Sequence, residues 1–295
     1  MDTTKLYGTG VALVTPFNKD ESIDFDGLKR LLESTAKQGV DYYVVQGTTG
    51  ESVTTTPSEK QQILDFVKKN NSAKLPIVYG IGGNNTRQVI ENIKSADLSG
   101  VDAILSVSPY YNKPSQAGII KHFELVADTS PVPAILYNVP GRTSSNLTAE
   151  TTLTLAKHPN IIGVKEASGN VEQSMAISAN KLSDFLLISG DDMLTVPLYS
   201  IGSKGVISVL ANAFGDIFKE MKDNAFSGNY EAASKAAFKL QGINPLMYQE
   251  SNPVGIKEVL KLQGICENYV RLPLLSASSN LQSQIKSTLD SMQES

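Results

Sequence analysis

Short runs rich in branched aliphatic residues recur along this 295-residue chain, at 10–14, 42–46, 76–80, 103–107, 133–137, 161–165, 185–189 and 205–209. Runs this short, bounded by Gly, Pro, Asn or Ser, read as buried strands rather than helices. Their spacing of roughly 20 to 35 residues is that of one βα unit. Between them the apolar period becomes helical, and each segment carries a start signal. Asp24 and Asp26 precede Leu28-Lys29-Arg30-Leu31-Leu32; Thr56-Pro57-Ser58-Glu59, Asn85-Thr86, Ser115 and Thr148-Ala149-Glu150 open the others. Pro57 stands where a first helical turn tolerates proline. Gly39, Gly100 and Gly202 fall just before the next strand, as helix C-terminal caps do.

Eight strands alternating with helices, apolar on both faces, predict the α/β class and a parallel sheet closed as a (β/α)8 TIM barrel. The rival is an open doubly wound sheet. It would carry a glycine-rich phosphate fingerprint after the first strand, and Thr15-Pro16-Phe17-Asn18 is not one. Beyond residue 210 only helices are expected, over 212–226, 229–249, 254–263 and 279–292. The chain then divides into a catalytic barrel over 1–226 and a C-terminal helical extension over 227–295, packed on the barrel.

Composition narrows the function classes. With 41% hydrophobic residues, a net charge of −4 and no Lys/Arg run, nucleic acid is a poor candidate partner. No apolar run approaches the ~20 residues that span a bilayer. Residues Met1 to Gly8 lack the form of a secretory signal, so a cytoplasmic location is expected. Cys266 is the only cysteine, which excludes an internal disulfide and argues against a thiolate metal site.

In such a barrel the active site gathers at the carboxyl ends of the strands. Strand six, Ile161-Ile162-Gly163-Val164-Lys165, ends in a lysine where the chain leaves a packed core. Desolvation there favours the neutral amine, a nucleophile able to form a Schiff base. The plainer alternatives are a lysine that snorkels to solvent or one paired with Glu166. Strand two is followed by Gly47-Thr48-Thr49-Gly50-Glu51-Ser52, a tight turn offering backbone N–H groups and two hydroxyls to an anion. Strand four leads to Ser108-Pro109-Tyr110-Tyr111-Asn112, strand five ends in Tyr137 ahead of Asn138-Val139-Pro140-Gly141-Arg142-Thr143, and strand seven ends in Ser189-Gly190-Asp191-Asp192. An amine, phenols, paired threonines and an arginine at one mouth suit carbonyl chemistry through an imine. Lys165 attacks a ketone, a phenol moves protons, the threonine turn holds the adjacent carboxylate, and Arg142 grips a second carboxylate.

The motifs Gly47-Thr48-Thr49-Gly50-Glu51, Pro109-Tyr110-Tyr111-Asn112, Tyr137-Asn138-Val139-Pro140, Gly163-Val164-Lys165-Glu166 and Ser189-Gly190-Asp191-Asp192 resemble the dihydrodipicolinate synthase / N-acetylneuraminate lyase superfamily, in order and over nearly the whole chain. Pro140-Gly141-Arg142-Thr143 is similar to its synthase branch; sialic acid lyases usually lack that arginine. The resemblance implies that pyruvate forms an imine and then an enamine on Lys165, with no other cofactor. The enamine would attack L-aspartate 4-semialdehyde, and the product would cyclise to 4-hydroxy-tetrahydrodipicolinate, on the way to lysine and diaminopimelate. It implies a proton relay of Tyr137, Thr48 and Tyr111, the last supplied by a neighbouring subunit of a homo-oligomer, commonly a tetramer. Thr48 and Thr49 map onto the pyruvate carboxylate site, with Ile207 as a backbone contact and Gly190 in the substrate-binding set. Arg142 would guard the entrance for the semialdehyde carboxylate.

The resemblance also implies a lysine-binding site near Ser52, Asn84 and Tyr110. Where lysine-sensitive bacterial members tend to carry two histidines and a glutamate, this chain has Pro57, Lys60 and Gln88, so feedback inhibition is expected to be weak or absent. No metal is expected. One strand end with Asp191-Asp192 cannot complete a shell of hard oxygen ligands, and His122 and His158 fall on expected helices. Gly80-Ile81-Gly82-Gly83 and Gly202-Ser203-Lys204-Gly205 lack the spacing of nucleotide fingerprints. The rival readings are another pyruvate-imine aldolase, cleaving a sialic acid or a 2-keto-3-deoxy sugar acid, and a catalytically silent barrel serving in binding or assembly.

Overall fold

A computed structural model describes residues 2–293 of the chain. Eight parallel strands, β1 (Gly8–Ala12), β2 (Tyr42–Val45), β3 (Ile77–Gly80), β4 (Ala103–Val107), β5 (Ala134–Asn138), β6 (Ile161–Glu166), β7 (Leu186–Ser189) and β8 (Gly205–Ser208), close in sequence order, β8 pairing with β1. The expected barrel is the observed one, and the open sheet is excluded. Every residue of β1, β2, β5, β6, β7 and β8 is buried, as expected of strands covered on both faces.

The helices are α1 (Phe25–Lys37), α2 (Pro57–Asn70), α3 (Thr86–Ser95), α4 (Gln116–Thr129), α5 (Pro140–Thr143), α6 (Ala149–Leu155), α7 (Val171–Asn180), α8 (Thr195–Ser200), α9 (Gly215–Phe226), α10 (Tyr230–Phe238), α11 (Val254–Leu262) and α12 (Ser279–Gln293). The expected start signals act as N-caps. Asp24, Thr56, Asn85, Ser115 and Thr148 each accept a backbone N–H from the first turn, satisfying donors that the helix cannot. At α2 the cap is a full capping box, Glu59 accepting in turn from the N–H of Thr56. Gly39 and Gly202 directly follow the C-cap residues of α1 and α8 with φ of +82° and +100°, the left-handed turn that ends a helix. Gly100 is not a cap: α3 ends at Ser95 with Ala96 in extended backbone, and Gly100, at φ +71°, sits in a separate turn before β4.

Three apolar clusters hold the fold. One fills the barrel, with Tyr42, Val44, Leu105, Ile135, Ile188 and Ile207 inside and Leu6 closing the amino end. Leu6, fully buried, contributes about 2 kcal/mol by leaving water. A second lies between β5–β7 and the helices α4, α6 and α7. The third and largest joins the β1–β3 side of the barrel to Val254, Ile256, Val259 and Leu260 of α11 and Leu281 and Ile285 of α12, so the extension shares its core with the barrel wall.

Two further expectations are corrected. The single helix over 229–249 is broken: α10 ends at Phe238 and a separate 3-10 turn covers Asn244–Met247. Gly242 and Pro245 lie in the break, and proline removes a helix donor and disfavours helical backbone before it. His158 lies in a turn after α6, not on a helix, because Pro159 follows it.

Candidate active site

Lys165 and Tyr137 are register partners across β6 and β5, so their side chains emerge at one level on one face. That face is the barrel interior, where Tyr137 belongs to the central cluster. Lys165 is 6% exposed and its Nζ lies 4.4 Å from the centre of the Tyr137 ring. The Lys165 amine therefore neither snorkels to water nor turns from the phenol.

Glu166 points the other way. Buried in the layer outside the strand, it accepts from Asn138 Nδ2 at 2.9 and 3.1 Å, Ser168 N at 2.7 Å and Gln173 Nε2 at 2.9 Å. Neutral donors satisfy its charge, and alternation along the strand keeps it from Lys165. The Lys165–Glu166 pair, one alternative left open by the sequence, is excluded.

Gly190 is packed against the lysine stem. A Cβ there would stand 3.1 Å from both Cγ and Cε of Lys165 and 2.5 Å from Cβ of Ala167. Only glycine leaves room for the amine's present path. Its neighbours Asp191 and Asp192 do not converge. Asp191 Oδ1 accepts from the N–H of Met193 at 3.0 Å and of Leu194 at 3.3 Å, while Asp192 Oδ2 accepts from Val209 at 3.2 Å and Leu210 at 2.9 Å. Burial pushes the Asp192 carboxyl up to about 6, against the lowering effect of the Leu210 N–H. Among the described residues no three His, Cys, Asp or Glu side chains gather as a metal would require.

The turn after β2 is tightly braced. Thr48 is partly exposed, and Thr49 is buried. Thr15 Oγ1 donates to Gly50 O at 2.7 Å, and Gln46, itself held by Thr15 and Thr55, braces the turn from below. Ile207 lies on β8 with its side chain in the interior cluster that also holds Tyr137. Arg142 is exposed on the single-turn α5, and no carboxylate pairs with it among the described residues.

Tyr111 is not brought to the site within one chain. It is 87% exposed with φ +73°, its N–H bound at 3.4 Å to Thr143 O of α5. Ser52 and Tyr110 are partly buried, and the Asn84 carbonyl accepts from Asn112 Nδ2 at 3.1 Å, tying the β3 and β4 loops together. Burial lowers the pKa of the Lys60 ammonium, which has no acidic partner among the described residues, and the Gln88 amide is spent on Asn92 at 3.0 Å.

Sequence reasoning missed the part played by the extension. Asn252 Nδ2 donates to Thr49 Oγ1 at 3.0 Å, and Lys257 Nζ donates to Glu51 Oε1 at 2.5 Å with both side chains buried. The one local signal was Lys257 itself, a lysine beside Glu258 in the otherwise apolar run Val254–Leu260.

A family model, the dihydrodipicolinate synthetase family, matches residues 5–292. The chain belongs to the dihydrodipicolinate synthetase family. It is 50% identical over 275 residues to the 4-hydroxy-tetrahydrodipicolinate synthase of Cytophaga hutchinsonii, covering 93% of each chain. Among solved structures it resembles a monomeric dihydrodipicolinate synthase variant, with a TM-score of 0.95, 33% identity and 98% of each chain covered. It also resembles the chloride-inhibited dihydrodipicolinate synthase of Acinetobacter baumannii complexed with pyruvate, with a TM-score of 0.94, 35% identity, and 97% of this chain and 99% of the other covered. The choice of a synthase over a sialic acid lyase stands, and with it the assignment to the lyases.

Proposed function

We propose that the chain condenses pyruvate with L-aspartate 4-semialdehyde through an imine on Lys165. The observation that carries this is the buried Lys165 amine beside the Tyr137 phenol at the carboxyl end of the barrel. The amine adds to the ketone, and the carbinolamine loses water with Tyr137 moving the protons. Loss of a methyl proton gives the enamine, whose carbon attacks the aldehyde. The amino group of the semialdehyde then displaces Lys165 from the imine carbon as the ring closes. Thr48 and Thr49 hold the pyruvate carboxylate with the Ile207 backbone, Gly190 leaves room beside the lysine stem, and Arg142 receives the second carboxylate. The imine is formed by the chain itself, and the chemistry needs no further cofactor.

Tyr111, exposed at 87%, is the residue a partner subunit would use to complete the relay, and we take the working form as a homodimer or a tetramer of two such dimers. Residues 1–226 form the catalytic barrel and 227–295 the extension that closes one side of it. No helix among the described residues is long and apolar enough to cross a membrane, and we place the protein in the cytoplasm.

Borohydride reduction in the presence of pyruvate, followed by peptide mass mapping, tests the mechanism. A reduced adduct on the Lys165 peptide is expected. An adduct on another lysine, or none, overturns it.

A further inference from the structure

We infer that Asn252, outside the barrel and 203 residues from its contact, is a positioning residue that fixes the hydrogen-bond polarity of Thr49. The inference rests on the reading that Thr49 binds the substrate carboxylate. A hydroxyl has one proton and can donate once. Because the Asn252 amide donates to Thr49 Oγ1, the threonine has no need to spend its own proton there, and the O–H is free to point at a carboxylate. Both residues are buried, Thr49 at 2% and Asn252 at 6% exposure, so water does not compete for the contact.

The surrounding framework keeps the two groups in register. Glu51, two residues on, holds a left-handed backbone at φ +54° and carries a buried carboxylate. Its Oε1 accepts from Lys257 Nζ, five residues beyond Asn252, and its Oε2 accepts from the Arg271 N–H at 3.0 Å. Lys257 also donates to Tyr269 O at 2.7 Å and stands 4.3 Å over the Phe17 ring. Arg271 flanks the same ring and forks onto Glu59, whose other role is to cap α2. The threonine turn is thus fastened on its far side by the extension. One contact of that fastening, Asn252 to Thr49, bears directly on a ligand-facing hydroxyl.

The test uses Asn252→Asp in the full chain, with Thr49→Val as control. An ionised carboxylate at 252 accepts where the amide donated. Thr49 then turns its proton away from the substrate, and the KM for pyruvate rises about tenfold or more with a smaller change in kcat. A protonated carboxyl donates as the amide did, so the pyruvate KM of this variant falls back toward the wild-type value as pH is lowered. A purely structural role would not produce that recovery. The pair Glu51→Gln/Lys257→Met, which removes both buried charges together, keeps the fold testable and is expected to raise the pyruvate KM by a smaller factor. If Thr49→Val leaves the pyruvate KM unchanged, the carboxylate reading itself fails. If Thr49→Val raises it while Asn252→Asp does not, or does so without pH-dependent recovery, the positioning role of Asn252 is overturned.

Discussion

Lys165 and Tyr137 stand side by side on neighbouring strands, the lysine nitrogen 4.4 Å from the centre of the phenol ring. Strand pairing brings the two side chains to one level of the wall, so their proximity is a property of the barrel. Replacing Tyr137 by Phe keeps the ring and removes the hydroxyl. kcat should fall by about 10²- to 10⁴-fold, the worth of a positioned acid–base group. Pyruvate KM should change little, and steady-state kinetics check both.

Gly190→Ala should cost both stability and rate. The added methyl meets Ala167 and the lysine stem, so the stem must move. Overpacking of this kind costs about 1–3 kcal/mol. Thermal denaturation should show the loss, and the rate of borohydride-trapped adduct formation should fall with it.

Arg142→Ala should raise the KM for aspartate semialdehyde roughly ten- to hundredfold, the range of a lost charge-assisted hydrogen bond. Pyruvate KM should be unaffected, because the threonine turn on the other side of the mouth is untouched. Parallel changes in both KM values would show that Arg142 acts on the site as a whole.

Asp192 gives the folded protein a pH signature. Its carboxyl is raised to about 6 by burial, from 3.8 in a free chain. As pH rises from about 4 to about 6, the unfolded chain loses the proton while the folded one keeps it. Stability is therefore lost across that window and stays lost above it, by about 3 kcal/mol. Asn at 192 cannot ionise. The gap in melting temperature between Asp192→Asn and wild type should widen from pH 4 to pH 7, in favour of the variant.

L-Lysine should inhibit weakly. By the family resemblance Lys60 and Gln88 stand where lysine-sensitive members carry a histidine and a glutamate, so a lysine ammonium would meet a positive charge and no acidic partner at these two positions. An inhibition titration with lysine should show no strong effect at low micromolar concentration. The variant Gln88→Glu should move inhibition toward lower concentration.

The barrel was legible because its signals are local. A strand announces itself by four apolar residues, and caps such as Asp24 and Thr56 lie within three residues of the N–H they accept. The chemistry at strand ends followed, since topology alone sends Lys165, Tyr137 and Gly190 to one mouth. The break at Gly242 and Pro245 was visible in the residues, yet an apolar period running through it suggested continuity. Asn252 and Lys257 were of another kind. Their partners lie more than two hundred residues away, and no spacing along the chain announces a contact that only the closed fold creates.

The Glu51–Lys257 pair spans 206 residues, and both charges are sealed from water. A chain emerging from the ribosome makes the carboxylate long before it makes the ammonium. Until α11 has been synthesised, the turn after β2 has every reason to stay open, since closing it would strand an anion in oil. Completion of the turn after β2 is thereby tied to the last quarter of translation, and a polypeptide cut short after β8 would carry the Lys165 amine beside an unfinished threonine turn.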